Sequence, residues 1–175
     1  MANEVIVRGR YKSFTVIPTV QATPDYAAGD VLFAPTVIPN LFPNEGDACI
    51  LKSITIIDKQ IVATHAFTLY FTNSSTALGT INATAGAAVG VLEEIQATIP
   101  IVDADWIAGG GAGSVHLANV CTISNPAVDG IGSVLQGSNW AGGNITRGIH
   151  IVGIAGEAMN VASTSDLIIK IGVEY

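Results

Sequence analysis

The sequence predicts a mostly-β chain, an antiparallel β-sandwich or jelly roll with at most one short helix. Three observations carry that reading. Short runs of β-branched and aromatic residues recur along the chain, Gly, Pro, Asn and Asp separate them, and apolar residues at helical spacing are scarce.

Taken in order, residues 13–20, 49–58, 67–72, 115–124, 148–154 and 167–175 read as strands. Pro18, Pro24, Pro35, Pro39 and Pro43 crowd the first quarter. Proline cannot donate to a central ladder, so edge strands and an irregular extended path are expected there. Segment 49–58 is apolar on both faces, with Ile50, Ile54 and Ile56 opposite Leu51 and Ile57, and is expected in the middle of a sheet. In 67–72, Phe67, Leu69 and Phe71 share one face and Thr68, Tyr70 and Thr72 the other, as in a half-buried strand. Asn73-Ser74-Ser75 and Asn125-Pro126 read as turns. The one expected helix spans 87–97, with Val91, Leu92 and Ile95 on a face and Glu93 and Glu94 outward. In the final segment Ile169, Ile171 and Val173 alternate with Lys170, Gly172 and Glu174. No repeat or composition shift divides the chain. Residues 1–25 read as an N-terminal arm and first strand, and 26–175 as a single β-sandwich domain.

At 175 residues such a chain buries roughly 70% of the surface its unfolded form exposes, and needs no staple. Hydrophobic residues make up 49% and charged residues 12%, against the ~25% charged that is usual. The apolar excess is either covered by other subunits, which makes a homo-oligomer (a trimer favoured) the expectation, or offset by a Thr-, Ser- and Asn-rich exterior. With 7 basic and 14 acidic residues the formal charge is −7, so the concentrated positive footprint of a nucleic-acid binder is missing. Arg8, Arg10 and Lys12 form one local basic group. It reads either as an arm docking on an acidic partner or as charges that keep a strand edge from unwanted pairing. No segment approaches the ~18 uninterrupted apolar residues of a membrane span. The start Met1-Ala2-Asn3-Glu4 lacks the apolar run of a secretory signal, so a soluble protein made without an export signal is expected. Cys49 and Cys121 fall in strand-like segments and are expected to be buried free thiols.

Candidate chemistry is thin. The run Gly109-Gly110-Gly111-Ala112-Gly113 lacks both the dinucleotide spacing and the Gly-Lys-Ser/Thr ending, and reads as an inter-strand loop. His65, His116 and His150 are isolated in sequence; converging, they could ligate a metal, but their spacing is that of packed or surface side chains. Asp103 and Asp105 would point the same way on a strand beside Trp106, as paired carboxylates do in glycosidases and Ca²⁺ sites. Equally, they could cap backbone N–H groups at a strand end. No Gly-x-Ser-x-Gly elbow is present. The triplets at Asn73, Asn82 and Asn144 match the glycosylation pattern, as chance allows in a chain rich in Asn and Thr. The expectation is a non-enzyme without cofactor or metal.

Tyr26-Ala27-Ala28-Gly29-Asp30-Val31-Leu32-Phe33, residues 50–59, residues 69–79 and Val102-Asp103-Ala104-Asp105-Trp106-Ile107 resemble a small structural protein of tailed bacteriophages, particularly those of cyanobacterial and other aquatic hosts. The resemblance covers about residues 26–107; nothing from Ala108 onward matches. It implies a virion component assembled in the host cytoplasm: a capsid cement or decoration protein on the major capsid protein, β-rich and commonly trimeric, without nucleic-acid or membrane partners. A tail, baseplate or head-fibre component with a carbohydrate- or receptor-binding role is the other reading. That role needs an exposed aromatic platform, for which Trp106 and Trp140 are the candidates. On the decoration reading, Arg8, Arg10 and Lys12 form the docking arm and the proline-rich stretch 35–43 lies along the neighbour.

Overall fold

The computed structural model describes residues 10–23, 25–59, 65–108, 116–120, 133–137, 147–161 and 163–175. In chain order its strands are β1 (Tyr11–Val16), β2 (Val31–Ile38), β3 (Ala48–Asp58), β4 (Phe67–Thr72), β5 (Ile95–Ile101), β6 (Trp106–Ala108), β7 (His116–Val120), β8 (Val134–Gln136), β9 (Ile149–Ala155) and β10 (Leu167–Glu174). They form two antiparallel sheets, one ordered β1-β10-β3-β7-β6 with β8 also on β3, the other β2-β9-β4-β5. The pairs β1·β10, β2·β9, β3·β7 and β4·β5 nest inside one another, so the chain is one long antiparallel ribbon rolled up on itself. That is a jelly roll.

Segments 67–72 and 167–175 behave as their alternation predicts: Phe67, Leu69 and Phe71 point inward from β4, and Ile169, Ile171 and Val173 from β10. The proline-bearing segments take edges. Pro35 lies in β2 and Pro100 in β5, the two outer strands of their sheet, where no ladder donor is missed. Segment 49–58 is indeed central, flanked by β10 on one side and by β7 and β8 on the other.

Its facing differs from the expected pattern. Gly172 pairs with Ser53 but Val173 with Leu51, which leaves Lys52 as an extra residue in a β-bulge. The bulge flips the phase of alternation. Cys49 and Leu51 are buried before it, and Ile54, Ile56 and Asp58 after it, while Ile50 lies outward and 39% exposed.

The expected helix over 87–97 shrinks to Val89–Leu92, a single turn with no buried residue. From Ile95 the chain is strand, because Ala97, Ile99 and Ile101 alternate inward and pair along β4. Period two wins over the helical spacing of Val91, Leu92 and Ile95.

Between the sheets lies the main core, with Phe33, Phe67, Phe71, Ile54, Leu51 and Ile171 fully buried. A second cluster sits on the far side of the β2-β9-β4-β5 sheet. There Leu78, Ala85, Ala87 and Val91, from the connection between β4 and β5, pack on Val31, Tyr70, Val152 and Ile154. Bridges from Asp30 to Thr84 and from Val31 to Ile81 fasten that connection down. The other sheet is different. Among the described residues nothing folds over its outer face, and Tyr11, Ile50, Ile107 and Val134 are exposed on it.

Candidate functional site

Four aspartates repeat one local device. Asp30 accepts the N–H of Ala27 at 2.8 Å, Asp47 that of Asn44 at 2.9 Å, Asp105 that of Val102 at 2.9 Å and Asp166 that of Ser163 at 2.6 Å. In each turn the aspartate's own N–H donates back to the carbonyl of the same residue three positions earlier. Each aspartate directly precedes a strand, β2, β3, β6 or β10. The carboxylate closes the turn and sends the next residue into extended backbone. Asp103 and Asp105 therefore do not share a strand face as a catalytic pair would: both lie in a 3-10 turn, Asp103–Asp105. The capping alternative describes Asp105.

His65 and His150 lie at opposite ends of β4: His65 comes just before Phe67, and His150 of β9 pairs with Thr72. The intervening strand spans roughly 17 Å at ~3.3 Å per residue. His116 opens β7, opposite Asp58. His65 is 4% exposed, with Nε2 3.8 Å from the buried Asp58 carboxylate and no hydrogen bond to that nitrogen among the described residues. The His65 carbonyl accepts the indole N–H of Trp106 at 3.0 Å. Trp106 is itself buried and tilted against Phe67, ring centroids 6.3 Å apart. His150 is half-buried, and burial pushes its pKa down. Among the described residues no group of His, Cys, Asp and Glu is arranged to hold a metal ion.

Cys49 is a free, buried thiol whose pKa burial pushes up to about 11. Cys121, Arg8, Trp140, the triplet at Asn144, the turn at Asn125-Pro126 and the glycine run 109–113 lie outside the described residues. Arg10 is exposed, and its carbonyl accepts the Tyr175 N–H at 3.2 Å. The Lys12 ammonium stands 5.3 Å from the centroid of the Tyr175 ring, a cation–π contact. Both residues thus lie at the β1 edge of the sheet over whose outer face no described residue folds. That face went unread in the sequence because the register between strands decides which side chains share it. No helix among the described residues is long and apolar enough to cross a membrane. No protein-family model matches the chain, and no curated protein matches it.

Proposed function

We propose that this chain is a non-enzymatic virion structural protein, a cement or decoration protein that binds the outer shell of a tailed-phage capsid and stabilises it. The observation that carries the reading is the asymmetry of the sandwich. One sheet is sealed by the chain's own connection between β4 and β5, while the other turns Tyr11, Ile50, Ile107 and Val134 to solvent. A contact protein needs such a face, and lasting interfaces are the more apolar kind. Jelly rolls recur in viral capsid and lectin domains, but a fold alone does not choose between them. The burial of Trp106 does bear on that choice. A carbohydrate-binding tail or fibre module needs an exposed aromatic platform, and Trp106 is packed on Phe67 with its N–H bound to His65. The partner on this reading is the major capsid protein, engaged by a homotrimer on the virion exterior. Many weak contacts, repeated by the shell's symmetry, add up to lasting attachment.

Particles assembled without this chain test the proposal. They should form normally but release DNA sooner under heat or chelator, and purified protein added back should restore them. Equal robustness without the chain, or its presence in the tail alone, would overturn it.

A further inference from the structure

The outer face of the β1-β10-β3-β7-β6 sheet, over which no described residue folds, carries aliphatic side chains from several strands. Ile168 of β10 pairs with Ile57 of β3, and Ile107 lies in β6, two strands on from β3 across β7. Directly opposed residues of antiparallel strands project to the same face. Ile168 lies between buried Leu167 and Ile169, and Ile57 between buried Ile56 and Asp58, so both turn outward and are half-exposed. Toward the β6 edge Ile107 is 63% exposed. Toward the β1 edge Ile17, which follows the Val16–Ile169 pair, is 54% exposed.

Lysines flank these isoleucines. Lys170 stands two residues along β10 from Ile168, hence on the same face, Lys59 follows the end of β3 directly, and both are exposed. Lys59 donates to the Ser165 carbonyl at 3.2 Å, and among the described residues neither lysine has a carboxylate partner. Lys52, further along β3, pairs with Glu174 at 3.0 Å. A chain of formal charge −7 thus gathers Arg10, Lys12, Lys52, Lys59 and Lys170 on or beside β1, β3 and β10.

We propose that this face is a protein-docking surface whose partner presents an aliphatic ridge flanked by carboxylates. The inference rests on the shell-binding reading above, for which it names the docking face and the chemistry it meets. Burial of the isoleucines supplies attraction, and the lysines supply orientation and partner choice. A second copy packed face to face would set Lys59 and Lys170 against their own kind, which argues for a different, acidic surface. Lysines around aliphatic side chains also make no phosphate-tracking groove.

Co-sedimentation with tailed-phage particles stripped of this chain tests the proposal. The variants are Ile107→Ser, Lys170→Glu and the two combined, with Leu92→Ser as a control on the helical turn of the sealed side. Urea midpoints matching the wild type establish that each variant folds. The wild type and Leu92→Ser should bind alike, the double variant at least tenfold more weakly, and Lys170→Glu should flatten the salt dependence. Hydrogen exchange should slow in β3, β6 and β10 on the particles. If the wild type binds and the double variant binds equally well, the docking face is wrong while shell binding stands. Failure of the wild type to bind overturns both. Self-association that Ile107→Ser abolishes would make a second copy the occupant and overturn the acidic partner.

Discussion

The Phe33 ring fills the space beside Gly153: a β-carbon built at Gly153 would stand 2.5 Å from it. The two are register partners in the β2·β9 ladder, and Gly153 also faces Leu69 of β4. Glycine inside a central strand ordinarily weakens it. Here the missing side chain is the space the phenyl ring fills, and Phe33 is fully buried there.

Gly153→Ala should therefore overpack the core and lower stability by about 1–3 kcal/mol. Phe33→Leu alone should also destabilise, by loss of ring packing. In the double variant the alanine methyl gains room, so the combined loss should fall short of the sum. Urea denaturation of the two single variants and the double variant gives the coupling directly. Strict additivity would show that ring and glycine are independent.

The fold class was legible because β4 and β10 alternate cleanly and nothing interrupts them. What stayed hidden depends on partners distant in sequence. The bulge at Lys52 arises from pairing with Gly172 and Val173 of β10, so no local pattern could reveal that Ile50 changes face. Segment 95–101 carries two periods at once: Val91, Leu92 and Ile95 match helical spacing, while the alternation Ala97, Ile99, Ile101 runs on past the end of that helical pattern. Three of the four strand-starting aspartates, Asp30, Asp47 and Asp166, were readable in principle, as an Asp between a Gly- or Ser-containing turn and an apolar run. The open outer face was not, since Ile168, Ile57 and Ile107 come from strands that only register and sheet order place side by side.

The repeated turn device predicts a graded series. Asp30→Ala and Asp166→Ala should each cost about 1–3 kcal/mol, because each leaves a backbone N–H without its acceptor at a poorly solvated strand start. The more exposed Asp47→Ala should cost less. Asparagine at the same positions keeps an acceptor oxygen and should recover part of each loss. Glu45→Ala, in the turn closed by Asp47, serves as the neutral control, with urea midpoints as the readout. Equal losses at Glu45 and Asp166 would sink the turn-closure account.

Tyr26 makes a similar argument inside the core. Its hydroxyl donates to the Leu32 carbonyl at 2.9 Å and accepts the Gln21 N–H at 2.5 Å, with the ring 2% exposed. Tyr26→Phe keeps the ring and strands both backbone groups, so a loss of about 1–3 kcal/mol is expected. A neutral result would mean that water replaces the hydroxyl.

Cys49 should be inert in the native protein. The thiolate is the reactive form, and a thiol pKa of about 11 leaves about one molecule in a thousand ionised at pH 8. In a Cys121→Ser background, a disulfide reagent should consume the remaining thiol only as fast as the protein opens. Denaturant should release it at once. Peptide mapping of alkylated, unreduced wild type should return Cys49 as a single alkylated peptide. A native reaction rate equal to that of the unfolded chain would place Cys49 at the surface.

His150 sets a pH dependence of defined sign. Burial lowers its pKa in the folded state below the ordinary value of 6.5, and its Nδ1 is buried with no hydrogen-bond partner among the described residues. The unfolded chain therefore binds the proton more readily than the folded one. Above pH 6.5 both states hold neutral imidazole and the group contributes no penalty. As pH falls below 6.5 the unfolded state takes up the proton first, and stability drops until the folded pKa is passed. His150→Gln removes this titration. Because carboxylates also contribute over that range, the measurement is the difference between wild type and variant in urea-determined stability at pH 7.5 and pH 5. The wild type should lose more than the variant. An identical loss in the two proteins would show that His150 is protonated as freely in the folded sheet as in the open chain.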